Sequence, residues 1–571
     1  MEIGEPQYAP AQDGELTASI ALPSSAGRIL EVELGWVAED RDKSALELDR
    51  LEITGGEPVV SPPILLISLD TVGARHLSLH GYPRRTSPRL EEFAREAVVF
   101  ERCLANSTWT VPSHMSLFTG LMPGVHARTV QLDATDVPDL WEMWQLDERR
   151  WTLPEALRAA GYHTAGFVDS LWLSGLMHFD QGFDLYDDSA AHISLDRTDG
   201  GIERVAQLAR DWLDARDERP PFLFLHCFDA HGPYTVPPQW RDKLAGRTLT
   251  QPVSSAYAGA LDRCFGGIHS YIAAPYATAD GMPKRLPTDP IADAYDEGLL
   301  ALDARLGEFF DALRKTPLWD EAVVIVTSDH GESMTGHEFY FAHGMAYDEI
   351  LHVPLIVKLP RGARGGTRVS EGVQLVDVYS TVLELAGLDP AGRGRHGRSL
   401  APALRGEKLP PAALLAQGGL IRQTALELDR WKLLAFDPTL DVDLAIALSY
   451  PGVPAEWRKQ NVPELSDSAL TAEVFAAITA DPARAQRLWQ ELVERIGGTH
   501  VALYDMRSDT AELNDVAAEQ PEIVAALTKR LAEELALIEV SRSRLATSAP
   551  TKAPSEADRA ALESLGYSGR K

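Results

Sequence analysis

Ile64-Leu65-Leu66-Ile67-Ser68-Leu69 is an apolar run of strand length with no polar alternation. Such a segment is satisfied only where both of its faces are covered, as in the interior of a parallel sheet. Four more runs read the same way: Thr164–Val168, Phe222–His226, Val323–Ser328 and Pro354–Lys358. Helical patterns lie between them. In Ile291–Lys315, after Asp289-Pro290, Tyr295, Leu299, Leu302, Leu306, Phe309 and Leu313 recur at spacings of three and four. Ser87-Pro88 opens a shorter helix carrying Leu90, Phe93 and Ala94. Buried strands alternating with helices specify an α/β fold with a largely parallel sheet.

Outside this core the text changes. Residues 15–54 hold short apolar runs broken by Pro, Ser and Gly, a pattern for a small β-rich appendage. Beyond about residue 366 the signals shorten, with strand candidates such as Ala413–Gln417 before a last helix at Pro521–Leu537. The expected layout is an appendage at 1–58, a catalytic α/β domain at 59–365, an α+β subdomain at 366–540, and a polar tail at 541–571. The chain has 54 Lys and Arg against 84 Asp and Glu, a formal charge of −30. Such a field repels polyanions, so nucleic acid is not an expected partner, and any chemistry on phosphate or sulfate must come from a compact local site. The N-terminus lacks a basic start and an apolar core, and no apolar run is long enough to span a membrane. A cytoplasmic location is therefore expected, although a chain whose export signal has been trimmed reads identically. Cys103, Cys227 and Cys264 are odd in number and far apart, which fits neither a disulfide framework nor a CxxC metal site.

Residues able to bind metal or move protons collect at strand ends. Asp70 follows the first run; His226, Asp229 and His231 lie at and beyond the Phe222 run; Asp329 and His330 follow the Val323 run. Ligands of parallel sheets bind beyond the carboxyl ends of the strands, so one crevice can gather these residues across long sequence gaps. Carboxylates with imidazole suit Mn²⁺, Zn²⁺, Mg²⁺ or Ca²⁺. In Ser107–Gly120, Pro112 is a first-turn residue and Gly120 a stop, which places Thr110 just before a helix N-terminus. Free N–H groups favour an anion there, and a metal-activated hydroxyl at that point can attack phosphorus or sulfur. The plainer alternative is that Thr110 caps a short helix.

These stretches together resemble the sulfatase family of the alkaline phosphatase superfamily. The match runs through Leu66-Ile67-Ser68-Leu69-Asp70-Thr71 with His80-Gly81-Tyr82-Pro83, Thr110-Val111-Pro112-Ser113-His114, Phe228-Asp229-Ala230-His231-Gly232-Pro233-Tyr234, and Thr327 to Ser333. It continues through His343-Gly344, Val353–Val357, Leu503-Tyr504-Asp505, Glu512-Leu513-Asn514 and Ser564–Tyr567. The resemblance implies an alkaline-phosphatase-like mixed, mostly parallel sheet sandwiched by helices. It makes Asp70, Asp329 and His330 the metal holders and Thr110 the occupant of the nucleophile position. His114 takes the place of a charge-stabilising Arg, His231 matches a histidine near the transferred group or the leaving oxygen, His343 lies where many members carry Lys, and His337 belongs to the same loop.

Three departures matter. Sulfatases convert a Cys or Ser at the nucleophile position to formylglycine, an aldehyde that Thr110 cannot supply. Thr71 stands where sulfatases commonly have a second Asp ligand. His330 replaces an Asn common in calcium-dependent members, which moves the preference towards Mn²⁺ or Zn²⁺. Threonine is the nucleophile in superfamily branches that cleave or transfer phospho-groups. The expectation is a metal-dependent hydrolase of phosphate mono- or diesters of modest size, using one metal and a covalent phospho-threonine. The alternatives are a phospho-group transferase, a non-catalytic binding protein and a sulfuric ester hydrolase.

Overall fold

The computed structural model describes residues 61–123, 125–126, 145–191, 201–232, 234, 236–244, 288–334, 343, 345–390, 396–418, 423–436 and 500–545. It also describes two short antiparallel strand pairs, Gln7–Tyr8 with Ala18–Ser19 and Val253–Ser254 with Arg285–Leu286. The rest of the expected appendage, most of the polar tail, Cys264 and His337 lie outside the described residues.

A nine-stranded sheet forms the centre. Its strands run in the order Thr367–Val369, Val98–Leu104, His352–Lys358, Val323–Thr327, Ile64–Leu69, Pro221–Cys227, His163–Phe167 and Leu185–Asp187, with Val373–Gln374 also on Val98–Leu104. Only His352–Lys358 runs antiparallel to its neighbours, so the sheet is mixed and mostly parallel, as the sequence implied.

The absence of alternation in Ile64–Leu69 has a direct cause. Ile64 and Leu66 enter a core that includes Val111, Met115, Phe118 and Val382, while Leu65, Ile67 and Leu69 enter a second core with Val205, Ala209, Leu302 and Phe309. Helices Thr110–Thr119 and Val376–Leu385 therefore cover one face, and helices Gly201–Ala215 and Thr288–Leu313 cover the other. Both faces of the strand are dry, so both need apolar side chains.

A separate antiparallel sheet of Leu414–Gln417, Gln423–Leu428, Trp431–Phe436 and His500–Asp505 follows. Leu415, Leu426, Leu433 and Leu503 pack under helix Pro521–Arg544 together with Leu121 and Met122, and Leu414, Ala425, Leu434 and Tyr504 join the first core. Two boundaries differ from the reading of the text. The strands Thr367–Val369 and Val373–Gln374 pair with the large sheet, so residue 365 falls inside it. The last helix runs to Arg544, past the expected start of the tail, and Leu545 just after it still packs against the core of the small sheet. Among the described residues, no helix is long and apolar enough to cross a membrane.

Candidate active site

The register of the central strands builds the crevice. Ser68 pairs with Thr327 on one side and with His226 on the other, so Asp70 emerges beside Asp329 and His330. The chain turns sharply there: Thr71 has φ +58°, a left-handed conformation that costs a β-branched residue about 1–3 kcal/mol. The turn is held by the Thr71 N–H donating to Asp329 Oδ1 (3.2 Å) and by Tyr295 Oη donating to the Thr71 carbonyl (2.6 Å). Thr71 Oγ1 donates back to the Asp70 carbonyl at 2.7 Å and so adds no ligand of its own.

Asp70, Asp329 and His330 are buried and place one donor atom each within 4.8 Å of the others. Asp329 Oδ1 accepts the His330 N–H at 2.8 Å, which leaves Oδ2 without a hydrogen-bond partner; Asp70 Oδ1 is likewise unpartnered. The His330 Nδ1–H donates to the Gly331 carbonyl (2.9 Å), which turns the Nε2 lone pair towards both carboxylates, 3.5 Å from Asp329 and 4.0 Å from Asp70. Two orphaned carboxylate oxygens and an imidazole held in the ligating tautomer fit a divalent cation, since leaving such groups dry and unpaired is costly. Burial and the adjoining Asp329 carboxylate push Asp70 up to about 7 in the metal-free chain. Burial and the neighbouring His343 hold the His330 imidazole well below its usual range, so it stays neutral and available as a ligand.

Thr110 is the first residue of helix Thr110–Thr119, one position further in than its sequence suggested. Trp109 supplies the extended residue before it, and Pro112 costs nothing in a turn whose N–H groups have no helical partner. Thr110 Oγ1 stands 3.4 Å from Asp70 Oδ2 and 3.4 Å from His330 Nε2, at the edge of the cation position. Gly120 ends the helix at φ +66° against the Tyr379 ring, where a Cβ would lie 2.8 Å from the ring.

The histidines divide into two sets. His330 and His343 face each other with ring centroids 4.4 Å apart, and His231 lies 5.3 Å from His343. His231 stacks on Phe228 at 4.1 Å, and its Nδ1–H donates to the Gly232 carbonyl. His343 Nδ1 meets the buried Glu332 Oε1 at 3.1 Å. Burial alone would lower His343, but Glu332 and then Asp70 and Asp329 raise it above its ordinary value. His114 is differently placed: Nδ1–H donates to the Thr110 carbonyl (2.8 Å) and Nε2 accepts from Ser68 Oγ (2.8 Å). Burial pushes it down to about 4, so it braces the helix start as a neutral ring. Asp229 caps helix Gly201–Ala215, accepting the Ile202 N–H at 2.9 Å, and pairs with Arg305. Two participants lacked a clear signal in the text. Glu332 is visible only through its contact with His343, and Asp169 only as an Asp just after a buried strand.

The family model described as Sulfatase matches residues 62–388, more than half of the chain. The chain belongs to the sulfatase family. Among the relatives of this sulfatase-family chain is arylsulfatase K of Gallus gallus, 25% identical over 384 residues, covering 60% of this chain and 66% of that protein. Matches to other arylsulfatase K proteins cover as little as 15% of their length, so the chain spans less than two thirds of these relatives. The multifunctional alkaline phosphatase superfamily protein PehA of Trinickia caryophylli is 25% identical over 388 residues, covering 56% of this chain and 72% of that one. The phosphonate monoester hydrolase of Agrobacterium radiobacter superposes with a TM-score of 0.55 at 19% identity, over 84% of this chain and 96% of that one, and so shares the fold.

Proposed function

We propose that this sulfatase-family protein hydrolyses small phosphate esters, mono- or diesters, through a covalent phosphoryl group on Thr110. The observation that carries the reading is the Thr110 hydroxyl, 3.4 Å from both a carboxylate and an imidazole of the cation group. Asp70, Asp329 and His330 would hold a divalent cation, with Mn²⁺ or Zn²⁺ favoured by the imidazole, which supplies Lewis-acid polarisation of the ester and of the hydroxyl. Thr110 Oγ1 forms the bond to phosphorus, its proton passing to Asp70 Oδ2, to which it donates at 3.4 Å, while the bond from phosphorus to the leaving alcohol breaks. His231 or His343 supplies the leaving oxygen with a proton, and the Glu332 carboxylate beside His343, which raises that ring above its ordinary value against the effect of burial, favours its proton-carrying form. Water then cleaves the threonyl phosphate. A threonyl sulfate has no geminal hydroxyl through which to collapse, which is why phosphate is preferred here over sulfate.

The arylsulfatase names of several relatives support a second reading, a sulfuric ester hydrolase. One panel separates the two: aryl phosphate, bis-aryl phosphate, aryl phosphonate and aryl sulfate esters, with metals added singly, for wild type and Thr110→Ala. Turnover of the phosphorus esters that is lost in Thr110→Ala, with phosphate trapped on Thr110, supports the proposal. Rapid sulfate release with phosphorus esters untouched overturns it in favour of the second reading, and no turnover with no bound metal favours a binding protein. A small diffusible ester is the proposed partner.

A further inference from the structure

The Asp70 carboxylate has two unlike oxygens. Oδ1 has no hydrogen-bond partner and lies 4.0 Å from His330 Nε2, whereas Oδ2 accepts from Thr110 Oγ1 at 3.4 Å and meets the ring of His226, whose Nε2 is 3.2 Å away. On the far side of that ring, Nδ1 lies 3.4 Å from Asp169 Oδ1. All three side chains are buried, and each comes from a different strand or strand end: Ile64–Leu69, Pro221–Cys227 and His163–Phe167. Asp169 has little room to turn, because its Oδ2 packs on Gly201, where an added Cβ would lie only 2.1 Å from it. His226 is in turn wedged against the His114 ring at a centroid distance of 5.2 Å.

An imidazole between two dry carboxylates cannot be there for packing alone, since burying these groups is costly unless each serves the others. We propose that Asp169 and His226 are positioning residues, a carboxylate–imidazole–carboxylate relay that fixes the Asp70 carboxylate with Oδ1 turned to the cation. Outer partners of this type orient metal ligands and set their basicity. A ligand role for His226 itself, with His114 and Asp329 around a second cation, is the competing arrangement on these residues. It is disfavoured by His114, both of whose ring nitrogens are already engaged. The relay rests on Asp70 being a cation ligand, and on neither the identity of the ester nor the role of Thr110.

The test is calorimetric titration of Mn²⁺ into chelator-stripped full-length protein, for wild type, His226→Phe, His226→Gln and Asp169→Asn, with a thermal melt of each metal-free variant. One cation per chain is expected. His226→Phe and Asp169→Asn should bind it roughly 10- to 100-fold more weakly, and His226→Gln, which keeps an N–H for Asp70 Oδ2, should recover part of the loss. The metal-free melts separate this from a general loss of fold, and if His226→Phe does not fold, Asp169→Asn carries the test. Affinity in the folded variants within about threefold of wild type overturns the relay, being well short of the loss typical for an outer partner. So does a wild type that binds two cations with one lost in His226→Phe, which would make His226 a ligand. No binding by wild type overturns the ligand role of Asp70 and the relay with it. Cation affinity that follows these variants while no phosphate is ever trapped on Thr110 overturns the proposed chemistry and supports the relay.

Discussion

Cation binding should be controlled by one proton. In the metal-free chain Asp70 titrates at about 7, because burial and the Asp329 carboxylate both resist a second negative charge. A cation must displace that proton, so affinity falls as pH drops through this value. Around pH 5 the protonated form outweighs the ionised one by about 100 to 1, and the apparent affinity should be about 100-fold weaker than on the alkaline plateau, or ~2.7 kcal/mol. His330 adds no second step, since it is held well below its usual range and is already in its ligating form. The slope should therefore be about tenfold per pH unit, not a hundredfold. Titration of Mn²⁺ into stripped protein at several pH values, in two buffers of different ionisation enthalpy, reads both affinity and proton release. About one proton per cation should be released on the acid side and about none near pH 9. For the metal-free fold the sign reverses. A carboxyl raised in the folded state contributes stability that is present below 3.8 and is lost as pH rises through about 7. Stripped wild type should thus lose stability relative to Asp70→Asn over that window. A cation affinity that stays flat from acid to alkaline pH would refute the reasoning, as would release of two protons.

Two further outcomes test the scaffold around the site. Gly331→Ala places a Cβ 2.4 Å from the Glu349 carbonyl oxygen and 3.0 Å from Gly73 Cα, both backbone, next to His330; it should cost about 1–3 kcal/mol in a denaturant melt and weaken cation binding, and an unchanged melt would contradict the tight packing. Lys432 is fully buried against Glu512 at 2.6 Å, and Glu512 also accepts the Asp348 N–H. Lys432→Met should destabilise by about 3–5 kcal/mol, and adding Glu512→Gln should recover part of it, so a neutral single variant would show that the pair is not dry.

Much of this was legible before folding, for reasons that differ by residue. Ile64–Leu69 appears as a strand with the expected bounds because an unbroken apolar run of that length tolerates little else. Gly120 stops its helix as its residue type demands. Residue 365 misled as a boundary because the Arg/Gly-rich turn around it looks like a linker, whereas Thr367–Val369 returns to pair with Val98–Phe100. Sheet pairing at that separation leaves no local mark. Asp229 and His226 look equally reactive as text, yet one caps a helix and the other lies between two carboxylates. Only the position of Gly201 and of Asp169 separates them.

The chain's own text therefore specifies buried parallel strands, the polar residues at their ends, and a threonine at the start of a short helix. Strand length, apolar periodicity and turn chemistry are local properties, and each residue declares them within a few neighbours. Which ends meet is not local. The Ser68–Thr327 and Ser68–His226 register gathers Asp70, His226, Asp329 and His330, and the left-handed turn at Thr71 aims Asp70 at them. Ties from the small sheet seat the approach to Thr110: Asn106 Nδ2 donates to the Leu415 carbonyl (3.0 Å) and Ser107 Oγ to the Gln417 carbonyl (2.8 Å). Donor distances near 3 Å between residues hundreds apart come from close packing of whole layers, which no window of sequence contains.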